Sequence, residues 1–85
     1  MDKNAALAAI ESEGLQDAVG FQKPMNSLDA VAIYAEEGKW VVSSTDERAV
    51  EEGKELFESE SEALESFLRR LRASNRYREW SRENP

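Results

Sequence analysis

The sequence predicts a small α+β domain with an N-terminal helix, a three-stranded antiparallel sheet, and a C-terminal helix packed on one face of the sheet. Three observations support this prediction. β-Forming residues alternate on both sides of a tight turn at Glu37 and Gly38. A further β-rich stretch occupies residues 54–58, and the pattern of a capped amphipathic helix begins at Ser59.

The N-terminal helix is indicated by an alanine-rich stretch that Asn4 can cap. Leu7 and Ile10 share one side of this helix and are expected to pack on the rest of the domain, because so short a helix is marginal alone in water. Gly14 suits the left-handed position just past the helix end. Leu15 then falls where a Schellman motif places its apolar contact back onto Ile10.

The middle of the chain is predicted as a loop followed by a β-hairpin. Residues 15–29 are expected to be mostly loop, since a Lys-Pro pair within them disfavours helix. Leu28, Val31 and Ile33 are expected to turn inward. Trp40, next to the turn, is expected to be a packing aromatic and not a binding-surface tryptophan.

The third strand and the C-terminal helix follow. Residues 49–53 are expected to form an acidic connection, and residues 54–58 a strand. Ser59 and Glu62 have the spacing of a capping box. The expected apolar stripe of the helix consists of Ala63, Leu64, Phe67, Leu68 and Leu71. Three arginines, Arg69, Arg70 and Arg72, are expected in the last turns, where cations complement the helix dipole.

The sequence divides into a single α+β domain over residues 1–75 and a basic aromatic tail over residues 76–85. We expect the tail to extend the helix and to pack Tyr77 and Trp80 back on the domain. Two alternatives are a contribution to a protein interface and the binding of single-stranded nucleic acid, for which interleaved aromatics and arginines are typical.

Composition limits the classes of function. The chain has no cysteine and no histidine, so disulfides, thiolate metal sites and the usual general base are all missing. We therefore expect no catalytic residues, no metal and no cofactor. No apolar run approaches the roughly 20 residues that span a bilayer, and the N-terminus is too acidic for a signal peptide. These features predict a cytoplasmic protein.

Charge is distributed unevenly along the chain, whose net charge is −7. Residues 1–66 contain 16 acidic and 5 basic side chains, whereas residues 67–85 contain 2 acidic and 6 basic ones. An acidic body disfavours nucleic acid and anionic membranes as partners and favours a basic protein. The alternative is that the charge serves only solubility.

A combination of short motifs resembles a known family. The motifs are GKWVV at residues 38–42, a Glu-Arg pair at residues 47–48, a Leu-Phe pair at residues 56–57, and SESEA at residues 59–63 before an apolar helix. This pattern is similar to that of the small immunity proteins encoded beside bacterial polymorphic toxins. The likeness extends over residues 7–71.

The resemblance implies a protein that stays in the producing cell, binds the toxin domain of its own system, and blocks it by occlusion without chemistry. Many such toxins are nucleases with basic clefts, which an acidic face can occupy. The candidate partner-binding residues are Asp46, Glu47, Glu51 and Glu52, followed by Glu36 and Glu37 at the opposite end of the hairpin. We expect a monomer or a weak dimer, since an exposed third-strand edge can pair with another chain.

The sequence is also compatible with two other functions. The chain could be an acidic adaptor or nucleic-acid mimic that regulates a host DNA-binding protein, or an enzyme that uses carboxylates alone. For Glu47 and Arg48, adjacency on a strand would place the two side chains on opposite faces. One of them is then expected to form a structural salt bridge.

Overall fold

The structure is a computed structural model that describes residues 1–84, and within them it has an α+β fold. The elements are α1 (Lys3–Glu13), β1 (Ala18–Gly20), β2 (Val31–Glu36), β3 (Lys39–Thr45), β4 (Glu51–Phe57) and α2 (Glu60–Glu83). The strands form one sheet in the order β1-β2-β3-β4. The predicted α+β class is confirmed, but the sheet is mixed and four-stranded, not antiparallel and three-stranded.

The additional strand is β1, which lies in a stretch that the sequence predicted as mostly loop. It pairs in parallel with β2, with Ala18 opposite Val31 and Gly20 opposite Ile33. Positive φ angles at Asp17 (63°) and Phe21 (66°) bend the chain on either side of it. Three residues are too few to show a two-residue period, so the sequence pattern alone does not reveal this strand.

The β2–β3 hairpin has the predicted turn. Glu36 pairs with Lys39, which leaves a two-residue loop. Both loop residues have positive φ, 51° at Glu37 and 78° at Gly38. This is the geometry of the tight hairpin turns whose twist matches that of the strands. Trp40 packs against the main core from its half-buried position next to the turn, as predicted.

Strand β4 begins earlier than predicted. It starts at Glu51, so most of the stretch expected to be an acidic connection is strand. The register between β3 and β4 shifts between Val42 and Ser44, where Gly53 on β4 takes a φ of 61°. A bulge that places an extra glycine in the left-handed region interrupts the alternation of side chains. The interrupted alternation hid the beginning of this strand in the sequence.

The main core lies between α2 and one face of the sheet. All five residues of the predicted stripe are buried, and they pack against Val31, Ile33 and Val42. From α1, Ala6 is the buried residue, while Leu7 is 45% exposed. Of the two α1 residues predicted to pack inward, Ile10 packs against the core and Leu7 does not.

Both ends of α1 are capped. Asp2, two residues earlier than the predicted Asn4, accepts a hydrogen bond at Oδ1 from the backbone N–H of Ala5 at 2.8 Å. At the other end Gly14 is left-handed, and Leu15 donates its backbone N–H to the carbonyl of Ile10 at 3.0 Å. The predicted Schellman motif is thus present.

Helix α2 extends into the tail, as predicted. Ser59 caps it by accepting the backbone N–H of Glu62 at Oγ, at 3.3 Å, and the helix continues to Glu83. The predicted boundary at residue 75 lies inside the helix, and Pro85 of the predicted tail lies outside the described residues. The three arginines expected in the last turns occupy the middle of α2, so that prediction was wrong. Over residues 1–84, neither helix is both long enough and apolar enough to cross a membrane.

The other face of the sheet has a smaller core. Ala32, Tyr34 and Val41 are buried there, with Val19 of β1 packed beside them. Glu36 is two residues after Tyr34 on β2, so its side chain points to the same face of the sheet. There, Lys23 Nζ lies 2.8 Å from Glu36 Oε2. The connection between β1 and β2 therefore lies beside this face.

Replacing leucine by alanine is expected to lower the free energy of unfolding by different amounts on the two faces of the sheet. Leu64→Ala, in the main core, is expected to lower the free energy of unfolding by about 2–5 kcal/mol, because it leaves a cavity. Leu56→Ala, at a side chain 63% exposed on β4, is expected to change it by less than about 1 kcal/mol. Urea denaturation measures both, and equal losses would contradict the assignment of the covered face.

Candidate partner-binding surface

The six acidic residues predicted from the sequence lie at the two opposite ends of the β2–β3 hairpin. The residues around the β3–β4 turn are Asp46, Glu47, Glu51 and Glu52, and those at the β2–β3 turn are Glu36 and Glu37. They do not form one cluster. Their hydrogen bonds and ion pairs divide them into carboxylates engaged within the fold and carboxylates that face solvent.

Asp46 shapes the β3–β4 turn. Its Oδ1 accepts the backbone N–H groups of Arg48 at 2.8 Å and Val50 at 3.0 Å. Its carbonyl oxygen accepts the backbone N–H groups of Ala49 and Asp29, both at 3.1 Å. An aspartate that bonds the backbone of the following residues is a common way to stabilise a turn. Asp46 thus also ties this turn to the residue before Ala30, where the chain enters β2.

Glu51 holds two buried hydroxyl groups. Its Oε2 accepts hydrogen bonds from Tyr34 Oη and, at 2.6 Å, from Ser43 Oγ. Burial raises the pKa of the Glu51 carboxyl, but the hydrogen bonds from Ser43 and Tyr34 outweigh it, so the net pKa lies below the ordinary value. Burial, together with the bond to ionised Glu51, raises the pKa of the Tyr34 hydroxyl. The carboxylate therefore satisfies polar groups that the sheet has buried.

Glu36 is compensated by two lysines. Lys23 Nζ lies 2.8 Å from Oε2 and Lys54 Nζ lies 3.6 Å from Oε1. The hydrogen bond and charge of Lys23, followed by the charge of Lys54, lower the pKa of the Glu36 carboxyl. The pair of contacts links the β1–β2 connection, β2 and β4. Its neighbour Glu37 is exposed in the turn.

Glu47 and Glu52 are exposed, and neither forms an ion pair with any residue from 1 to 84. Glu47 and Arg48 lie in the β3–β4 turn and not on a strand, and Arg48 also has no ion pair with the described residues. The expected structural salt bridge is therefore absent from this part of the chain. Glu52 lies opposite Ser44 on β4, the outer strand of the sheet. Both carboxylates are available to a partner.

Arg70 attaches α2 to the bulge between β3 and β4. Its Nη2 donates to the carbonyl oxygen of Gly53 and to Glu55 Oε1, both at 2.6 Å. Its Nη1 donates to Ser44 Oγ at 3.4 Å. The hydrogen bond from Arg70 lowers the pKa of the Glu55 carboxyl. This arginine therefore fixes the helix along the sheet and does not serve the helix dipole.

A row of polar side chains farther along α2 binds the segment between α1 and β1. The contacts of this polar clamp join Arg72 to Glu13, Asn75 to Gln16 and Arg78 to Asp17. Asn75 accepts the backbone N–H of Gln16 at 2.8 Å and donates to its carbonyl at 3.0 Å. The i, i+3, i+6 spacing places all three on one side of the helix. Sequence reasoning missed the clamp, although that spacing was a visible signal.

The last two turns of α2, residues 76–83, form an overhang that includes the clamp residue Arg78 and whose aromatics are exposed. Tyr77 is 69% and Trp80 58% exposed, and their rings stack with centroids 6.2 Å apart and planes 28° apart. The expectation that they pack back on the domain was wrong. A groove of about 480 Å³ beside them is lined by Asp29, Ser74, Tyr77, Arg78, Ser81 and Arg82.

The role of Glu51 predicts a pH-dependent loss of stability. Its pKa is lower in the folded state, so its contribution is complete above the unfolded carboxyl pKa of about 4.3 and disappears as the pH falls through the folded value. Glu51→Gln is expected to reduce the free energy of unfolding by about 1–3 kcal/mol at pH 7. The difference from the parent should shrink below about pH 4.

Urea denaturation across pH 3–8 measures this difference. Glu52→Gln is the matched control, because it removes the neighbouring exposed carboxylate, and it should differ from the parent by less than about 0.5 kcal/mol. Equal effects of the two substitutions at pH 7 would show that the Tyr34 and Ser43 bonds do not stabilise the fold.

Comparison of the chain with models of protein families, with curated proteins and with solved structures gives no match. Among residues 1–84, no group of three or more acidic side chains is arranged to hold a metal ion.

Proposed function

We propose that this chain is an immunity protein that binds and inhibits a cognate bacterial toxin domain by occlusion. The observation that supports this function is the pair of exposed carboxylates, Glu47 and Glu52, at the β3–β4 turn and the outer strand. The fold engages the neighbouring carboxylates of Asp46 and Glu51 in hydrogen bonds but leaves these two in solvent. The motif pattern of residues 38–63 supports the same function.

The proposed partner has a basic substrate cleft, as a nuclease does. Two uncompensated carboxylates on an acidic body attract such a cleft before contact and align it during approach. Their field acts over about 10 Å at 0.1 M salt, so the attraction weakens as ionic strength rises. A protein seated over the cleft would exclude the substrate without any chemical step.

The outer edge of β4 favours a monomeric inhibitor. An open edge strand can pair with a second copy of the chain, but charged side chains and bulges oppose such pairing. β4 has both, because the bulge is at Gly53 and charged side chains occupy most of the strand. An immunity protein of this kind acts in the cytoplasm of the cell that makes the toxin.

Coexpression tests this function. The chain is expressed together with the C-terminal toxin domain of a large secreted protein encoded directly upstream of it, in cells that the domain alone kills. We expect growth to be restored and a stable complex to be purified. If growth is not restored and no complex forms, the proposal fails. Binding to a basic chromosomal protein instead would support the alternative, a nucleic-acid mimic.

Charge reversal tests the role of the acidic surface. Glu47→Lys combined with Glu52→Lys is expected to lower the association rate constant for the toxin domain at least about tenfold at roughly 20 mM salt. At about 0.5 M salt the difference should largely vanish, because screening removes the attraction. Stopped-flow fluorescence measures both rates.

The control variant combines Glu11→Lys with Glu65→Lys. It changes the net charge equally, but the substitutions lie at exposed positions on α1 and in the first half of α2, away from the overhang. Its rate should stay closer to that of the parent. Equal rates for both double variants at low salt would exclude Glu47 and Glu52 as the steering groups.

A further inference from the structure

The overhang of α2 and the acidic β3–β4 turn lie at the same end of the molecule. α2 begins just after β4 ends and runs back along the sheet, and Arg70 lies level with Gly53. At about 1.5 Å per residue, residues 76–83 lie about 9–20 Å farther along the helix than Arg70. The start of β4 at Glu51 is only about 7 Å beyond Gly53. The overhang therefore projects past the sheet at its β3–β4 end.

Asp29 joins the two features. Its backbone N–H donates to the carbonyl oxygen of Asp46 in the β3–β4 turn at 3.1 Å. The same residue lines the groove together with Tyr77 and Arg82 of the overhang. Asp29 therefore lies between the turn that carries the exposed carboxylates and the groove that carries the exposed aromatics, so the two features are adjacent.

Exposed apolar side chains are concentrated at this end. Within residues 1–84, eight large apolar side chains are exposed, and four of them belong to this end: Leu28, Val50, Tyr77 and Trp80. Leu28 directly precedes Asp29, contrary to the expectation that it turns inward. Val50 closes the β3–β4 turn through its backbone bonds to Asp46. Apolar groups grouped around polar ones are typical of a protein-binding surface.

The overhang is held in place before any partner arrives. The polar clamp fixes Asn75 and Arg78 to residues 13–17, so the helix emerges from the domain in a set direction. Tyr77 and Trp80 lie on either side of the clamp residue Arg78 at a spacing that keeps them on adjacent turns. Tryptophan, tyrosine and arginine are the residues most enriched among those that dominate binding energy, and a preorganised helix loses little entropy on binding.

We propose that the toxin domain covers this end of the molecule as one interface, with Tyr77 and Trp80 as its apolar centre and Glu47 and Glu52 as its acidic rim. This inference rests on the proposed function and specifies its surface. The matching surface on the partner has basic side chains around an apolar depression. The negative charge of Glu47 and Glu52 favours this basic partner over a second copy of the chain or a nucleic acid.

A second copy of the chain fits this end less well. Two chains with a net charge of −7 repel each other. Single-stranded nucleic acid would stack on the aromatics and reach the arginines of this end that are unpaired within residues 1–84, Arg48, Arg76 and Arg82. The exposed carboxylates there outnumber these arginines and oppose its phosphates; they are Asp29, Glu47, Glu52, Glu79 and Glu83. The partner that satisfies both the aromatic centre and the acidic rim is a basic protein.

The test compares Trp80→Ala and Tyr77→Ala with Leu56→Ala. All three remove an exposed apolar side chain, but Leu56 pairs with Val41 in the half of β3 next to the β2–β3 turn, away from the overhang. Dissociation of the purified toxin domain is measured by surface plasmon resonance. We expect Trp80→Ala to raise the dissociation rate constant about 10- to 30-fold, with little change in association. Leu56→Ala should match the parent, and all variants should keep the parent's urea midpoint.

Each other outcome overturns the inference in a distinct way. If the parent binds the toxin domain and Trp80→Ala and Tyr77→Ala dissociate at the parent's rate, the function stands and this surface is wrong. If the parent does not bind the domain, the function fails and the inference fails with it. Self-association lost on Trp80→Ala would assign the surface to a second copy. Binding of oligothymidylate lost on Trp80→Ala would assign it to nucleic acid.

Discussion

Burial of one apolar stripe of α2 against one face of the sheet is the contact on which the rest of this structure depends. A chain of 85 residues without cysteine buries only about 60–65% of its unfolded surface, and each fully buried Leu or Phe contributes about 1.5–3 kcal/mol. Leu64, Phe67, Leu68 and Leu71 make up most of this burial on the helix side. Because these residues must lie along the sheet, the helix direction is fixed. That direction determines where the aromatic overhang emerges.

Hydrogen bonds and ion pairs within the fold engage some of the carboxylates and leave others free to bind a partner. Four carboxylates have a lowered pKa because the fold supplies donors or cations to them: Glu13, Glu36, Glu51 and Glu55. Asp46 is engaged by backbone N–H groups in the β3–β4 turn. An acidic sequence therefore has fewer available carboxylates than its composition suggests. Glu47 and Glu52 remain in solvent next to the overhang, and this proximity links the proposed function to a particular end of the molecule.

Local rules predicted the parts of the fold that depend on local sequence. The turn at Glu37 and Gly38 and the cap at Ser59 follow from neighbouring residues, and the structure has both. Strand β1 was missed because its parallel partner is reached only after a ten-residue connection. The polar clamp joins residues 59 or more positions apart, so no local pattern identifies its acceptors. The candidate site could be narrowed only when these long-range contacts showed which carboxylates were already engaged.

The claim that α2 is held as one helix past the core can be tested by amide hydrogen exchange of the free protein, followed by NMR. Intact clamp contacts predict that the amides of residues 76–80 exchange at least about tenfold more slowly than in an unfolded chain, and that Asn75→Ala removes this protection while leaving that of Leu64 and Leu68 unchanged. Exchange at unfolded rates directly after Asn75 in the parent protein would contradict the account, because the overhang would then present no ordered surface to a partner.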